Sequence, residues 1–550
     1  MGKKLKFSLL AALASLALVT AAGAALRSGA ASPSTLVFAT SADPVVLDGA
    51  LISDGESGRV IIQIYEGLVG LKPGTGFPAP GLALSWSPSK DGLAWTFNLR
   101  HNVTFTDGTP FNSAAVCANF GRWYNFTGSF QNPDATYYWQ TVFGGFAHNE
   151  PGSPTSSLYR GCKAVGKYTV RLFLTQRSAS FIAALSAASF SMESPTAMAK
   201  YGANQGSVDS NGVFHPTGTY ATQHPTGTGP YMLKSWKVGD KLELVPNPHY
   251  WGPKPHIQRL IFKAISDNAA RLQALESGEV DGYDLVAPQD IPTLKKAGFQ
   301  VLSRPPFNVA YVGFNSSIPP LDNQLVRQAV AYGLDRQSVV NSFYGGRARV
   351  AQEFMPPQLF GYSKKVQKYT YDPNKSKALL KQAGLTLPVK LDFWYPTSVS
   401  RPYMPDPKAN FEAFAAGLEK AGFQIVAHSA PWRPDYLSAV NSGKAQMYLV
   451  GWTGDWGDPD NFIGTFFRTP QDAWGNFKYP ALYALLTKAL GETDSAKRVA
   501  EYQQANELIM KFLPGVPYAH TSPAIAFRKG ISGYVPSPVD VQAFSTVSVK

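Results

Sequence analysis

The chain alternates between apolar runs and amphipathic stretches. TLVFAT (35–40) is a short unbroken apolar run and predicts a buried strand. In SGRVIIQIYEGLV, Val60, Ile64 and Leu68 recur at helical spacing with Ile61 and Tyr65 beside them, which predicts a helix over the whole stretch. From GLALSWSPSKDGLAWTFNLRHNVTFTDGTPF onward the period shortens to two. LAWTFNLR alternates as a strand and TDGTPF is a turn. This β-rich section also holds a helical pattern, NSAAVCANFGRWYNF, and a strand, KYTVRLFL. The half-repeated HPTGTYATQHPTGTGPY that follows reads as a connecting loop, because repeat architectures need several copies at fixed spacing.

From Tyr231 the pattern is α/β. KLELVPN and IQRLIFKAI predict strands. SDNAARLQALESGEVD predicts a helix with a Ser or Asp cap, Leu272 and Leu275 on its buried side and Gly278 as its stop; GYDLV is the next strand. DNQLVRQAVAYGLDRQSVV predicts one helix with Leu325, Ala329 and Gly333 on a common face. Then PVKLDFWY, FQIVAHS and QMYLVGW read as strands separated by the helices NFEAFAAGLEKAG and PDYLSAVNSG, the alternation of parallel βαβ units. In such sheets ligands lie beyond the carboxyl ends of the strands. Two loops qualify: PTSVSRPYMPD, carrying Arg401, and GWTGDWGDPDNF, carrying Asp455. The expectation is that these two charges rim one edge of one sheet and face one crevice.

At 550 residues, two or three domains are expected, and 42 prolines with 49 glycines imply many turns. MGKKLK followed by FSLLAALASLALVTAAGAAL has the form of an export signal, with small residues for cleavage at Ala22–Ala24 and again near Ala30. The alternative is an uncleaved anchor, since the apolar run is just long enough to span a bilayer. No cysteine lies near the cleavage site to take a lipid, and no later segment is apolar enough to cross a membrane. Removing Lys3, Lys4, Lys6 and Arg27 with the leader lowers the net charge of +13 by four, leaving the mature chain basic. Without a Lys/Arg stripe interleaved with aromatics, nucleic acid is not an expected partner. Cys117 and Cys162 are the two cysteines, and in an exported protein they are expected to pair.

The eight histidines fall at neither HxxxH nor HExxH spacing, and Asp455, Asp458 and Asp460 lack the twelve-residue loop with a terminal Glu that calcium uses. No metal and no cofactor is expected. Nor is an enzyme: there is no nucleophile elbow, phosphate-binding loop or dinucleotide fingerprint, and SPSK (87–90) sits in a proline turn without the partner motifs of its class. A carboxylate among tryptophans suits an ammonium group, through ionised hydrogen bonds and cation–π attraction. Asp455, just past a buried strand, is therefore the candidate ligand residue, while Asp458 and Asp460 are expected to cap and turn the loop.

The stretches IYEGLVGLKPG, PTGTGPYMLKSW, NPHYWG, ARLQALESGEVD, VGFNSSIPPLDNQLVRQAVAYGLDR and GWTGDWGDPDNF, in this order, resemble the peptide- and nickel-binding family of extracytoplasmic solute-binding proteins that serve ABC importers. The resemblance runs from Thr35 almost to the end, and its C-terminal part is similar to dipeptide-binding proteins. It implies a bilobal, periplasmic-binding-protein-like α/β fold with an inserted domain and a two-strand hinge. The expected division is an export signal and spacer (1–34), domain I (35–75, 210–306 and 522–550), inserted domain II (76–209) and ligand-closing domain III (307–521). It implies Asp455 at the ligand's α-ammonium, Arg401 of an R-P-Y motif with Tyr403 at its carboxylate, and backbone contacts from Trp452, Thr453 and Gly454, with Trp456 beside them. In the first lobe it points to Ser53, Gly55 and Ser57 of ISDGESG, a stretch that departs from the peptide-binder pattern. The implied partners are a short peptide, a dipeptide above all, and the membrane permease; a monomer in the periplasm or on the outer face of the cytoplasmic membrane is expected. The alternatives in the family are a longer oligopeptide, a nickel chelate, haem or an oligosaccharide. Outside transport, the alternative is an envelope sensor or peptide chaperone.

Overall fold

The computed structural model describes residues 35–154, 156–210, 212–539 and 541–550. The leader expected at 1–34 lies outside the described residues. Two large mixed sheets organise the chain. The first has seven strands in the order Tyr231–Lys237, Lys241–Pro246, Arg259–Ala264, Thr35–Thr40, Gly282–Asp284, Ala524–Phe527, Gln300–Ser303. Its centre is TLVFAT, parallel to both neighbours, with Leu36 and Phe38 buried on one face and Ala39 on the other. Burial on both faces explains why this strand is a continuous apolar run rather than an alternating one.

The second sheet has six strands in the order Ala348–Arg349, Gly515–Thr521, Asn308–Phe314, Met447–Thr453, Val389–Thr397, Phe423–Pro431. Val389–Thr397 runs parallel to both Phe423–Pro431 and Met447–Thr453, which is the expected βαβ arrangement. The crossover helix Pro407–Lys420 starts where Asp406 accepts the Ala409 N–H and buries Phe411, Phe414 and Leu418 against the sheet. A four-stranded antiparallel sheet, Ala83–Pro88, Ala94–Leu99, Thr169–Leu174 and Tyr159–Gly166, forms the β-rich section. The Cys117–Cys162 disulfide joins its outer strand to the helix Ser113–Tyr124.

The chain leaves the first sheet at Ser303, enters the second at Asn308, and returns between Thr521 and Ala524. The two crossings are bound to each other. Asn308 donates to the Thr521 carbonyl at 3.1 Å and accepts from the Thr521 N–H at 2.9 Å.

Three expected elements differ. The first helix is Gly55–Ile64 and stops short of Leu68. Glu66 and Gly67 turn away to pair with Ser191–Met192, and the Glu66 carboxylate is held by Thr228, Tyr250 and Trp251. The long helix after Asp322 is two helices, Gln324–Gly333 and Arg336–Phe343, because Asp335 stops accepting helical geometry and caps the second through the Ser338 N–H. The connecting loop contains the short helix Tyr220–Gln223.

Candidate functional site

The strand Met447–Thr453 pairs with Asn308–Phe314 along its full length and delivers the next residues to the end of the six-stranded sheet. Gly454 makes the turn. Its N–H donates to the Phe307 carbonyl at 2.9 Å, and a Cβ there would lie 2.4 Å from the Phe307 ring and 2.6 Å from Phe462. The fully buried Asn461 then organises the loop. Its Oδ1 accepts the Asp455 N–H at 2.8 Å and the Trp452 indole N–H at 3.4 Å, while its Nδ2 donates to Asp455 Oδ2 at 3.1 Å. Asp455 Oδ1 accepts the Tyr138 hydroxyl at 2.9 Å. The other two acids of the loop do structural work, as expected. Asp458 caps the 3-10 turn Pro459–Asn461 and forms a two-bond buried pair with Arg498 at 2.8 and 2.9 Å; Asp460 pairs with Arg468.

Asp455 lines a cavity with about 440 Å³ of empty space, part of it open to solvent. Ile52, Asp54, Gly55 and Gly58 form one wall, Tyr138 and Ala187–Ser189 a second, and Val539 and Val541 a third. The cavity therefore collects residues from the start of the chain, from the β-rich section, from the loop after the second sheet's strand and from the C-terminal segment. Among the described residues that line it, the polar groups are two carboxylates, a phenol and the Ser189 hydroxyl, with no Lys or Arg. Such a lining attracts a cation. The Ser189 oxygen is buried with no hydrogen-bond partner among the described residues. Burial, and after it the Asp455 charge, raises the pKa of the neighbouring Tyr137 phenol, whose ring lies 6.3 Å from that of Trp452.

Arg401 sits elsewhere. It lines a second cavity at the crossing between the sheets, with about 330 Å³ of empty space partly open to solvent, together with Ser400, Arg347, Tyr344 and Thr521. Its guanidinium lies 4.3 Å from the Trp432 ring centre, and its Nε is buried without a hydrogen-bond partner among the described residues. The Thr521 hydroxyl donates to the Pro402 carbonyl at 2.6 Å and so ties this loop to the crossing. Asp455 and Arg401, expected to face one crevice, line two separately bounded parts of the surface near the end of the second sheet, Asp455 beside Val539 and Val541 and Arg401 at the crossing. The loop after Val389–Thr397 brings Arg401 to the crossing, where Tyr403 packs on Gly451 and Thr521 holds Pro402.

The remaining expected residues divide. Gly55 lines the Asp455 cavity. Ser53 is half-buried next to Asp54 but is not part of its wall. Ser57 is fully buried and its hydroxyl accepts the Val45 N–H at 2.8 Å, so its side chain fixes the loop before the helix. Thr453 carries a buried hydroxyl with no hydrogen-bond partner among the described residues. The Gly454 N–H is already committed to Phe307. Tyr403 is buried and its carbonyl accepts from Tyr344 at 3.1 Å. Trp456 is buried in the hydrophobic core of the first and β-rich sheets, although it belongs to the loop of the second. Sequence reasoning missed Tyr138, Ser189, Asp54 and Gly58. Only Tyr138 had a readable signal: in YYWQTVF, Trp139 and Phe143 are buried at i, i+4 spacing, which leaves Tyr138 off that face.

Comparison with known proteins places the chain. The family described as bacterial extracellular solute-binding proteins, family 5 Middle, matches residues 78–474. A dipeptide-binding protein of Escherichia coli (strain K12) is 32% identical over 531 residues, 94% of this chain and 95% of its own length. Heme-binding protein A of Haemophilus influenzae is 30% identical over 532 residues, 94% of this chain and 93% of its own length. Among solved structures, the ABC transporter-associated periplasmic binding protein DppA from Helicobacter pylori, in complex with peptide STSA, superposes with a TM-score of 0.78. It has 28% identity and covers 94% of this chain and 98% of that one. The architecture is the periplasmic-binding-protein fold expected from the sequence.

Proposed function

This chain belongs to the family 5 bacterial extracellular solute-binding proteins, and from that premise we propose that it captures short peptides between its lobes and delivers them to the permease of an ABC importer. One observation carries the reading. Asp455 projects from the carboxyl end of a sheet strand into a cavity walled by three other parts of the chain, with no cation among the described residues of its lining. In this reading Asp455 pairs the ligand's ammonium, a charge-assisted bond that stabilises by roughly 1.5–3 kcal/mol. Tyr138 orients the carboxylate. Arg401, with its orphan Nε at the crossing, takes the carboxylate. Backbone groups at the end of Met447–Thr453 treat the peptide as an added strand. The two paired crossings, at 303–308 and 521–524, serve as the hinge between a discontinuous domain I (35–75, 210–306, 522–550) with its insertion (76–209) and a closing domain III (307–521). Hinge closure around a ligand is the motion of this class.

The test is titration calorimetry with a dipeptide, its N-acetyl form and its C-terminal amide. Both blocked forms are expected to bind at least about tenfold more weakly, since a buried unpaired charge costs several kcal/mol. Asp455→Asn should abolish the discrimination against the acetylated form, and Arg401→Ala the discrimination against the amide. If both blocked forms bind as tightly as the parent, the charge-recognition reading is wrong. If only the amide does, Arg401 has no part in it. The mass of the ligand that copurifies with the exported protein separates a peptide from haem or a sugar.

A further inference from the structure

Gly58 lies in the interior of the helix Gly55–Ile64, where glycine costs roughly 0.5–1 kcal/mol relative to alanine. Its backbone does not require glycine, for it carries no positive φ and sits between helical neighbours. It is buried, yet a Cβ built on it would meet no atom within 4 Å. A buried helical residue normally packs against something. Gly58 instead faces the Asp455 cavity, whose lining it forms together with Ala187 and Ala188 from the opposite wall. Gly58, Ala187 and Ala188 thus share with Ile52, Val539 and Val541 the apolar part of a lining whose polar part is Asp54, Tyr138, Ser189 and Asp455.

We infer that this part of the cavity is the subsite for the side chain of the ligand residue that carries the ammonium group, and that Gly58 sets its size. The inference rests on the peptide reading above and adds a specificity-determining residue to it. The polar edge of the cavity, Asp455 with Tyr138 and Asp54, holds the amine. The apolar floor takes an aliphatic or aromatic side chain from the same residue. A Cβ at position 58 would point into open space without disturbing its surroundings, and a longer side chain would extend from it toward that floor.

The experiment uses the full chain and its Gly58→Ala and Gly58→Leu variants, titrated with Ala-Ala, Leu-Ala, Phe-Ala, Ala-Leu and Ala-Phe. Gly58→Leu is expected to weaken Leu-Ala and Phe-Ala by about tenfold or more, the scale at which a pocket rejects added carbon atoms. Ala-Ala, Ala-Leu and Ala-Phe should stay within about threefold of the parent, and Gly58→Ala should show a smaller loss confined to Phe-Ala. The unfolding midpoint of Gly58→Ala should match or exceed the parent's, as expected for Gly→Ala in a helix. An equal loss for all five peptides, a loss confined to second-position bulk, or no loss at all overturns the assignment of Gly58 while leaving the peptide reading intact. A parent chain that binds none of the five peptides overturns both.

Discussion

The Tyr138 hydroxyl and the Asp455 carboxylate, 317 residues apart in sequence, meet in a 2.9 Å hydrogen bond that joins the β-rich section to the loop at the end of the six-stranded sheet. Asp455 is held on its other oxygen by Asn461. The carboxylate is therefore fixed from both sides, and its direction is set before any cation reaches it.

Removing the phenol tests that arrangement. Tyr138→Phe keeps the ring and deletes one hydrogen bond to a charged group, a change of roughly 1.5–3 kcal/mol. Peptide affinity is expected to fall by about tenfold or more. In an Asp455→Asn background the same substitution should change affinity much less, because the two residues act as one unit. Additive losses in calorimetry would show that Tyr138 acts independently of Asp455. A tighter complex would show that the phenol competes with the ammonium.

The loop's position depends on a different pair. Asp458 and Arg498 are buried and doubly bonded, linking the loop to the helix Ser495–Phe512. Asp458→Asn leaves a buried guanidinium facing a neutral amide, and breaking such a pair on one side costs about 3–5 kcal/mol. Denaturant unfolding should show that loss. Asp458→Asn combined with Arg498→Met should recover part of it, since the orphan charge is gone. A double variant less stable than the single one would mean that the arginine's other contacts, to the Ala489 carbonyl and the Tyr502 hydroxyl, matter more than the ion pair.

What was legible follows from how local each signal is. The crossover helix Pro407–Lys420 was readable because its Asp-Pro start, its apolar face and Gly422 all lie within one short stretch. Asp455 was readable as a candidate because its strand ends at Thr453, two residues before it. The break at Leu334 was not, because the apolar pattern continues through it and only the Asp335 cap reveals the new helix. Arg401 follows the end of its strand at Thr397, which the sequence shows, but the bond between Thr521 and Pro402 that ties its loop to the crossing spans 119 residues. Tyr138, Ser189 and Gly58 enter the cavity only through tertiary packing, and in sequence Gly58 is an unremarked glycine near a helix start.

The Cys117–Cys162 bond closes a loop of 45 residues. In the chain-entropy account, closing a loop of this length stabilises the folded state by about 4 kcal/mol. The Cys117→Ser, Cys162→Ser double variant should lose an amount of that order in denaturant unfolding, and reduction of the parent should match it. Peptide affinity should stay unchanged at temperatures where the variant is folded, because neither cysteine lines the Asp455 cavity or the crossing. An affinity loss would connect the disulfide to the site.

Glu353 gives the chain a pH dependence of defined sign. It is fully buried, and although both carboxylate oxygens accept the Ser363 N–H, at 3.0 and 3.1 Å, burial pushes its carboxyl up to about 8, with nearby Glu507 adding to the shift. The folded-state value lies above the unfolded one of about 4.3, so the folded chain binds the extra proton between them. The stability this contributes is complete below the unfolded value and is lost as pH rises through the folded one. The loss has a limiting slope of about 1.4 kcal/mol per pH unit between those values. Urea unfolding of the parent and of Glu353→Gln at several pH values from 5 to about 9 isolates this group from the others that titrate. The variant, neutral throughout, should gain on the parent as pH rises to about 8 and then level off. A difference between the two that does not change with pH would show that Glu353 stays ionised in the folded chain, its charge held by the Ser363 amide despite burial.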